Sequence, residues 1–297
     1  MTPKIIIRIK GGIGNQLFCY AAARRLALVN NAELVIDDVT GFVRDRLYCR
    51  RYMLDHFSIP ARKATPAERM EPFERYRRGV MKWLSHRKAF TESRYLEQEG
   101  IDFDGRLLEL KVKGTLYLDG LWQSEGYFKD VEQTIREDLR IMPPTDTLNQ
   151  CMAEEIRSSQ AVALHVRWFD TLGNKEMYNV SADYYMRAIA LMEKKIESPR
   201  YFLFSDDPEA ARAKLALPKG KVTFVSHNRE VENAYADLWL LTQCQYFITA
   251  NSTFSWWGAW IGGEKEKIVV TPKIVQDKVE ATNWGFKGLI PDQWLII

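Results

Sequence analysis

The sequence predicts a parallel α/β fold in two halves. Three observations carry that expectation. Short β-rich runs alternate with apolar residues recurring at helical spacing, and strands that alternate with helices build parallel sheets. The rhythm is broken once near the middle, by Pro143-Pro144-Thr145, a turn-forming stretch that marks a domain boundary. The 297 residues allow two domains of ordinary size, and an apolar fraction of 46% is enough to fill two cores. The halves are set at residues 1–145 and 146–297, each Rossmann-like, with a cleft between them.

In the first half, Lys4–Ile9 is a strand and Gly11-Gly12-Ile13-Gly14 a glycine turn. Phe18, Ala22, Leu26 and Val29 then recur as one helix face. Leu34-Val35-Ile36 is a second strand, ending at Asp37-Asp38. The stretch from Arg62 to Arg94 differs. It is rich in Arg and Lys, interleaved with Phe73, Tyr76, Trp83 and Phe90, and is expected to be helical. Its plainest reading is a solvated amphipathic surface; its functional reading is contact with an anionic membrane face or a lipid-linked acceptor. Thr115–Asp119 is a strand, and Phe128, Val131, Ile135 and Leu139 lie on one face of the helix after it.

The second half repeats the pattern. Val162–Val166 is a strand, and Tyr185, Ile189, Met192 and Ile196 form a helical stripe. Tyr201–Phe204 is a strand ending in Ser205-Asp206-Asp207-Pro208, and Val222–Val225 is another. Ala234, Leu238 and Leu241 mark a helix before the strand Tyr246-Phe247-Ile248-Thr249. A further helix opens within Asn251–Ser255 and runs through Ile261, and Lys267–Val270 is the last clear strand, stopped by Pro272.

Composition narrows the function classes. Lys and Arg number 42 against 39 Asp and Glu, so the net charge of +3 gives no footprint for nucleic acid. Cys19, Cys49, Cys151 and Cys244 are scattered without a zinc-ligand spacing, which fits a reducing cytosol. No apolar run is long enough to span a bilayer, and Ile5–Ile9 is too short for a signal segment and is broken by Arg8. The expectation is a soluble, intracellular chain. Nine Trp suit sugar binding, but packed cores use such rings more often.

Several strand ends carry residues suited to chemistry. The glycine turn lacks the third Gly of a dinucleotide fingerprint, since position 17 is Leu. Its glycines still let a ligand come close, and the Asn15 carboxamide can both donate and accept. A tight turn and nothing more is the competing reading. His165-Val166-Arg167-Trp168-Phe169-Asp170 closes a buried strand, with His165 and Arg167 on one face and Val166 and Trp168 on the other. An Arg fork at the carboxyl end of a parallel strand suits a diphosphate, although a lone Arg there is more often a surface ion pair. Asp206-Asp207 invites a metal reading, set against Asp207 capping a helix that starts at Pro208. Trp122-Gln123 offers an aromatic platform and an amide to a sugar, or else a core Trp and a polar turn. The Ser/Thr-rich helix start at Asn251–Ser255 is an anion site, or only an N-cap before a buried aromatic helix.

The string Ala250-Asn251-Ser252-Thr253-Phe254-Ser255-Trp256-Trp257-Gly258-Ala259-Trp260 resembles the motif of bacterial alpha-1,2-fucosyltransferases, glycosyltransferase family 11. Three other segments resemble that family in the same order, so the resemblance runs from Ile5 to Trp294. They are Gly11-Gly12-Ile13-Gly14-Asn15-Gln16 with Phe18 and Tyr20-Ala21, the segment Gly120-Leu121-Trp122-Gln123-Ser124-Glu125, and the His165 block. In the last, His165, Arg167 and Asp170 match the family's His-x-Arg-Arg-Gly-Asp-Tyr, whereas Trp168, Phe169 and Thr171 depart from it. Met177–Ser181 stands where the family has Thr-His-Gly-Val-Cys, and Tyr184-Tyr185 matches again.

The resemblance implies a GT-B-like architecture, with the first half mainly on the acceptor side and the second holding GDP-fucose. It implies inverting transfer of L-fucose to the 2-hydroxyl of a galactose in a glycan, lipid-linked in the membrane-contact reading, with no cofactor and no metal. The lack of a membrane stem points to a bacterial, cytoplasmic enzyme with membrane association. Donor contacts are expected from Gly12, Gly14, Asn15, His165, Arg167, Asp206, Asp207, Asn251, Ser252, Thr253, Phe254 and Ser255. Acceptor contacts are expected from Asn15, Trp122, Gln123 and Trp168. Arg167 is expected to act on the leaving group, and Asp170 or Glu176 to take the acceptor's proton. The departures at Trp168 and Phe169 keep two alternatives open, a transferase with a changed donor or acceptor and a homologue that binds without turnover.

Overall fold

The computed structural model describes residues 2–168, 179–263, 266–273 and 287–297. The chain divides into one unit of Met1–Arg140 with Phe286–Ile290, and a second of Ile141–Gly285 with Pro291–Ile297. The late segment belongs with the first unit because Leu289 is buried and the Lys287 carbonyl accepts from the Phe103 N–H at 3.0 Å.

In the first unit the elements are β1 (Lys4–Arg8), α1 (Ile13–Val29), β2 (Glu33–Asp37), β3 (Arg62–Lys63), α2 (Glu74–Ser85), β4 (Tyr95–Glu97), β5 (Thr115–Asp119) and α3 (Glu132–Asp138). The strands form one parallel sheet in the order β3-β2-β1-β5-β4. Ile5, Ile6 and Ile7 are all buried, as an unbroken apolar run at the centre of a parallel sheet should be. Helix α1 is buried around most of its girth, and Asp138 of α3 ties it down by accepting from Tyr20 Oη and Arg24 Nε, each at 2.7 Å. Asp119 closes β5 against β1. It accepts from Tyr95 Oη at 2.7 Å and pairs with Lys10 at 2.7 Å and Arg8 at 3.0 Å. Burial opposes its charge, but the two cations outweigh burial and hold its pKa at about 2.

The second unit contains α4 (Thr147–Arg157), β6 (Ala161–Val166), α5 (Ala182–Lys195), β7 (Arg200–Ser205), α6 (Pro208–Lys214), β8 (Val222–Val225), α7 (Ala234–Thr242), β9 (Tyr246–Ile248), α8 (Thr253–Ile261), β10 (Val269–Thr271) and β11 (Leu295–Ile296). Its sheet is also parallel, in the order β11-β10-β9-β6-β7-β8. All six residues of β6 are buried. Val162, Leu164 and Val166 pack with Tyr185, Ile189 and Met192 of α5, and Trp168 continues the same face. Trp256, Trp257 and Trp260 of α8 pack with Trp294, so the aromatic half of the longest motif is core.

Some expectations change in detail. The Arg62–Arg94 stretch is α-helical only over α2, with a single 3-10 turn at Phe90–Glu92. It opens as the edge strand β3, because Arg62 is held along β2 by Glu33 and Glu68, each at 2.7 Å, and Pro66 and Pro72 interrupt the chain between β3 and α2. Gly14 lies inside α1 rather than in the turn, since the helix begins at Ile13. The four cysteines form no disulfide. No helix among the described residues is long and apolar enough to cross a membrane.

Two glycines test the packing in opposite directions. A Cβ on Gly41 would stand 1.8 Å from the Ile9 carbonyl oxygen, where the loop after β2 crosses the end of β1. Gly41→Ala is expected to cost about 3 kcal/mol. Gly79, inside α2, has nothing within 4 Å of its added Cβ, so Gly79→Ala should gain about 0.5 kcal/mol through helix propensity. Urea denaturation of both variants checks the pair.

Candidate functional site

In an open parallel sheet, ligands bind beyond the carboxyl ends of the strands, at the point where strand order reverses. In the second unit that point lies between β6 and β9, because the chain builds outward through β7 and β8 and then crosses to the other side of β6. The groups gathered there come from three strand ends. His165 and Arg167 leave β6, Asp206 leaves β7, and the turn after β9 leads through Asn251 and Ser252 into α8.

Arg167 Nη1 sits 2.6 Å from Asp206 Oδ2, while Asp206 Oδ1 accepts from the Trp168 N–H at 2.9 Å. The carboxylate thus fixes the guanidinium and the backbone beside it. A guanidinium carries five N–H donors, so one ion pair sets its plane without exhausting its capacity. Burial pushes the Asp206 carboxyl above the usual carboxylate range, against the opposing pull of Arg167 and the Trp168 N–H. The His165 ring lies 5.5 Å from that of Phe254. Burial first, and the Arg167 charge second, push its pKa down to about 3, so the ring is neutral at pH 7. Its Nδ1 is buried without a hydrogen-bond partner among the described residues.

The start of α8 is a well-defined helix terminus. Ser252 caps it, its Oγ accepting from the Phe254 N–H at 3.3 Å. At the other end Lys267 donates to the carbonyls of Ala259, Trp260 and Gly262 at 2.5, 3.1 and 2.6 Å. With a cation on the carbonyl end, the positive end of the α8 dipole stands at the start of the helix, where Phe254 meets the His165 ring of β6. Ser252, Thr253 and Phe254 are partly exposed, whereas Asn251 and Ser255 are buried. Ser255 Oγ donates back to the Ser252 carbonyl at 3.2 Å, which makes it part of the turn.

The first unit has its own reversal, between β1 and β5, and two of the motifs meet there. Gly11 takes φ +78° and the Asn15 side chain folds back over it, leaving no room for a Cβ. Asn15 Oδ1 accepts from Gln123 Nε2 at 2.7 Å. Gly12 is the N-cap of α1, and a Cβ there would meet only Arg50 Nε, at 3.9 Å, so the backbone is open to approach. Gln16, buried completely, holds the turn together: Nε2 donates to the carbonyls of Gly11 and Arg51 at 2.9 and 2.8 Å, and Oε1 accepts from the Met53 N–H at 2.9 Å.

Some of the expected site residues turn out to be framework. Trp122 is 1% exposed and packs edge-on against Tyr127 at 5.6 Å, so it forms no platform for a sugar; its φ of +51° turns the ring inward. Gly14 is buried within α1. Asp207 caps α6, accepting from the Ala210 N–H at 2.9 Å, and does not converge with Asp206. Among the described residues no three His, Cys, Asp or Glu side chains gather as a metal-ligand set. Trp168 is half-buried on the α5 side, with Lys214 Nζ 4.8 Å above its ring. Asp170, Glu176 and Phe169 lie outside the described residues.

One polar network escaped the motif reading. Asn149 Oδ1 meets His227 Nε2 at 3.0 Å and accepts from Asn228 Nδ2 at 2.9 Å, and that amide also donates to Asp237 at 2.8 Å. Its signal in the sequence was Ser226-His227-Asn228 placed directly after a strand, as Asp206 is after β7.

A family model described as glycosyl transferase family 11 matches residues 73–288. An alpha-1,2-colitosyltransferase of Escherichia coli is 26% identical, with 99% of this chain and 98% of that protein aligned. The O-antigen biosynthesis glycosyltransferase WbnK of Escherichia coli is 29% identical, over 89% of this chain and 92% of the other. Among solved structures, fucosyltransferase NodZ from Bradyrhizobium superposes with a TM-score of 0.52 at 17% identity, over 88% and 94% of the two chains. NodZ soaked with GDP-fucose gives 0.51 at 16%, over 88% and 93%. Two parallel-sheet α/β domains of the GT-B-like class are the shared fold.

The half-buried Asp237 carboxyl in the Asn149 network yields a stability prediction. Burial raises Asp237 to about 7, with only the Asn228 amide pulling the other way. The folded state therefore holds a proton that the unfolded chain releases near pH 4, and the stability this brings is lost as pH rises from about 4 through 7. Asp237→Asn keeps the acceptor for Asn228 and removes the titration. It should gain about 2 kcal/mol at about pH 8 and change little near pH 4.5. Urea midpoints at the two pH values check this, and an unchanged pH slope would show that Asp237 is not the titrating group.

Proposed function

The chain belongs to glycosyltransferase family 11, and from that premise we propose that it transfers L-fucose from GDP-fucose to the 2-hydroxyl of a galactose residue in a glycan, with inversion. The observation that carries this reading is Arg167, fixed by Asp206 at the reversal of strand order, two residues beyond His165, whose ring lies 5.5 Å from that of Phe254 at the start of α8. As the glycosidic bond breaks, negative charge grows on the departing diphosphate. A planar guanidinium and the N–H groups of a helix start are donors aimed in advance at such charge, and this kind of stabilisation is strongest where the donors need not reorganise.

In this reading the second unit holds the donor. Arg167, Ser252, Thr253 and the backbone after Asn251 take the diphosphate. Neutral His165, with its orphaned Nδ1, accepts a hydrogen bond from the nucleotide. Asp206 holds Arg167 in place, and His227 and Asn228 add polar groups at the end of β8 for the nucleoside. NodZ, similar in fold, was solved with GDP-fucose, which supports a guanosine diphosphate donor. The linked Asn15 and Gln123 amides of the first unit serve the acceptor. His165 is a poor base because its pKa is so low, so the acceptor's proton is assigned to a carboxylate, Asp170 or Glu176. The diphosphate charge is met by Arg167 and α8, and turnover is proposed to proceed without a metal or cofactor.

A second donor has a specific observation behind it. One nearly full-length relative is an alpha-1,2-colitosyltransferase, and Trp168 departs from the family pattern beside Arg167. The donor is therefore tested directly. Purified protein should transfer from GDP-fucose to lactose faster than from GDP-colitose or GDP-mannose, and the product's linkage, read by NMR, should be alpha-1,2. The rate should survive excess chelator. Arg167→Ala should lower kcat on the order of a thousandfold and Arg167→Lys should restore little, because the lost fork stabilised the transition state. Faster transfer of colitose would reassign the donor. GDP binding without turnover on any galactoside would favour a non-catalytic homologue.

A further inference from the structure

Helix α2 is amphipathic in the reverse of the usual sense. Its polar side faces the first unit. Arg78 Nη2 donates to Thr40 Oγ1 at 2.7 Å and lies 3.8 Å from Asp37, Lys82 pairs with Glu97, and the buried Ser85 accepts from the Tyr95 N–H at 3.1 Å. These contacts, one per turn, fix the helix about its axis. The apolar side consequently points outward. Phe73, Tyr76, Val80, Trp83 and Leu84, spaced three, four, three and one apart, are 74, 75, 39, 53 and 47% exposed. A concavity of about 850 Å³ runs along this stripe between Phe73, Tyr76, Val80 and Trp83. Monomeric soluble proteins rarely leave a continuous apolar stripe in water without a use for it.

We propose that this face is a docking surface for an anionic phospholipid membrane, with α2 lying in the plane of the interface. Charge chooses the occupant. From Phe73 to Lys88 the chain carries six Lys or Arg and a single acidic residue, Glu74. Arg75, Arg77, Arg87 and Lys88 are exposed around the stripe, and the Arg87 guanidinium lies 3.5 Å over the Trp83 ring. Aromatic rings beside cations match the boundary between acyl chains and anionic headgroups. A second copy of the chain fits less well, since a two-fold contact through this stripe would bring the same basic rim against itself. The inference does not depend on which sugar is transferred. It gives the transferase a means of working at a lipid surface.

The test is co-sedimentation of the full chain with phosphatidylcholine vesicles and with vesicles that also contain phosphatidylglycerol. Binding is expected only to the latter, weakening on the order of tenfold between low and physiological salt. The double variant Tyr76→Ser, Trp83→Ser should bind at least about tenfold more weakly, and so should Arg77→Glu with Arg87→Glu. Because these side chains are exposed, thermal midpoints and turnover on a soluble acceptor should stay at the unsubstituted values. Equal binding to both vesicle types, unchanged binding of the variants, or no vesicle binding together with a dimer that Trp83→Ser dissociates would each overturn the proposal.

Discussion

A parallel strand cannot be joined to its neighbour by a tight turn, so every connection must cross over and re-enter at the same end of the sheet. All the strands of both sheets obey this constraint, and the rest of the molecule depends on it. It collects the segments that leave the strands along one edge. It also makes the order reverse where the chain first builds one way and then the other, about β1 in the first unit and β6 in the second. Motifs far apart in sequence meet at those reversals. Asn15 reaches Gln123, and His165 faces Phe254, although the members of each pair are distant in the chain.

Charge then fixes what topology has gathered. Asp119, Asp138 and Asp206 each satisfy partners on neighbouring elements; Asp119 and Asp138 are buried, so that losing a partner there would leave an uncompensated charge, whereas Asp206 keeps part of its side chain in solvent. Asp119 and Asp206 differ in balance. Two cations hold Asp119 firmly ionised, whereas burial outweighs a single guanidinium at Asp206. The Asp206–Arg167 pair is thus the less settled of the two, which suits the diphosphate contact proposed for Arg167. The same logic orients α2, where Arg78 and Lys82 hold the polar side inward and leave the aromatic side in water.

Much of the fold was legible because periodicity and burial agree. The apolar runs at β1, β6, β7 and β9 are strands, and the Tyr185-Ile189-Met192 stripe is the buried side of α5. Elements set by particular ion pairs or by pairing at a sheet edge, rather than by a pattern of their own, were not legible. Strand β3 is two charged residues held by Glu33 and Glu68, and β4 and β11 are short edges with little pattern of their own. In the site, Arg167, Asp206 and Ser252 were picked out by their positions after strands, and the structure places them at the ends of β6, β7 and β9. Residue chemistry misjudged Trp122, because nothing in an aromatic residue's identity tells whether its backbone turns the ring outward or into the core. The role of Asp207 as a cap was visible in Asp-Pro, and the outward face of α2 was visible as spacing but not as direction.

The central claim is that the nucleotide diphosphate sits at the carboxyl edge of the second sheet, between the end of β6 and the start of α8. Amide hydrogen exchange of the purified chain with and without GDP measures this directly. The account predicts added protection at residues 165–168, 205–207 and 249–255, with the edge strands β3 and β4 unchanged. Protection that spares all three segments and appears elsewhere would contradict it.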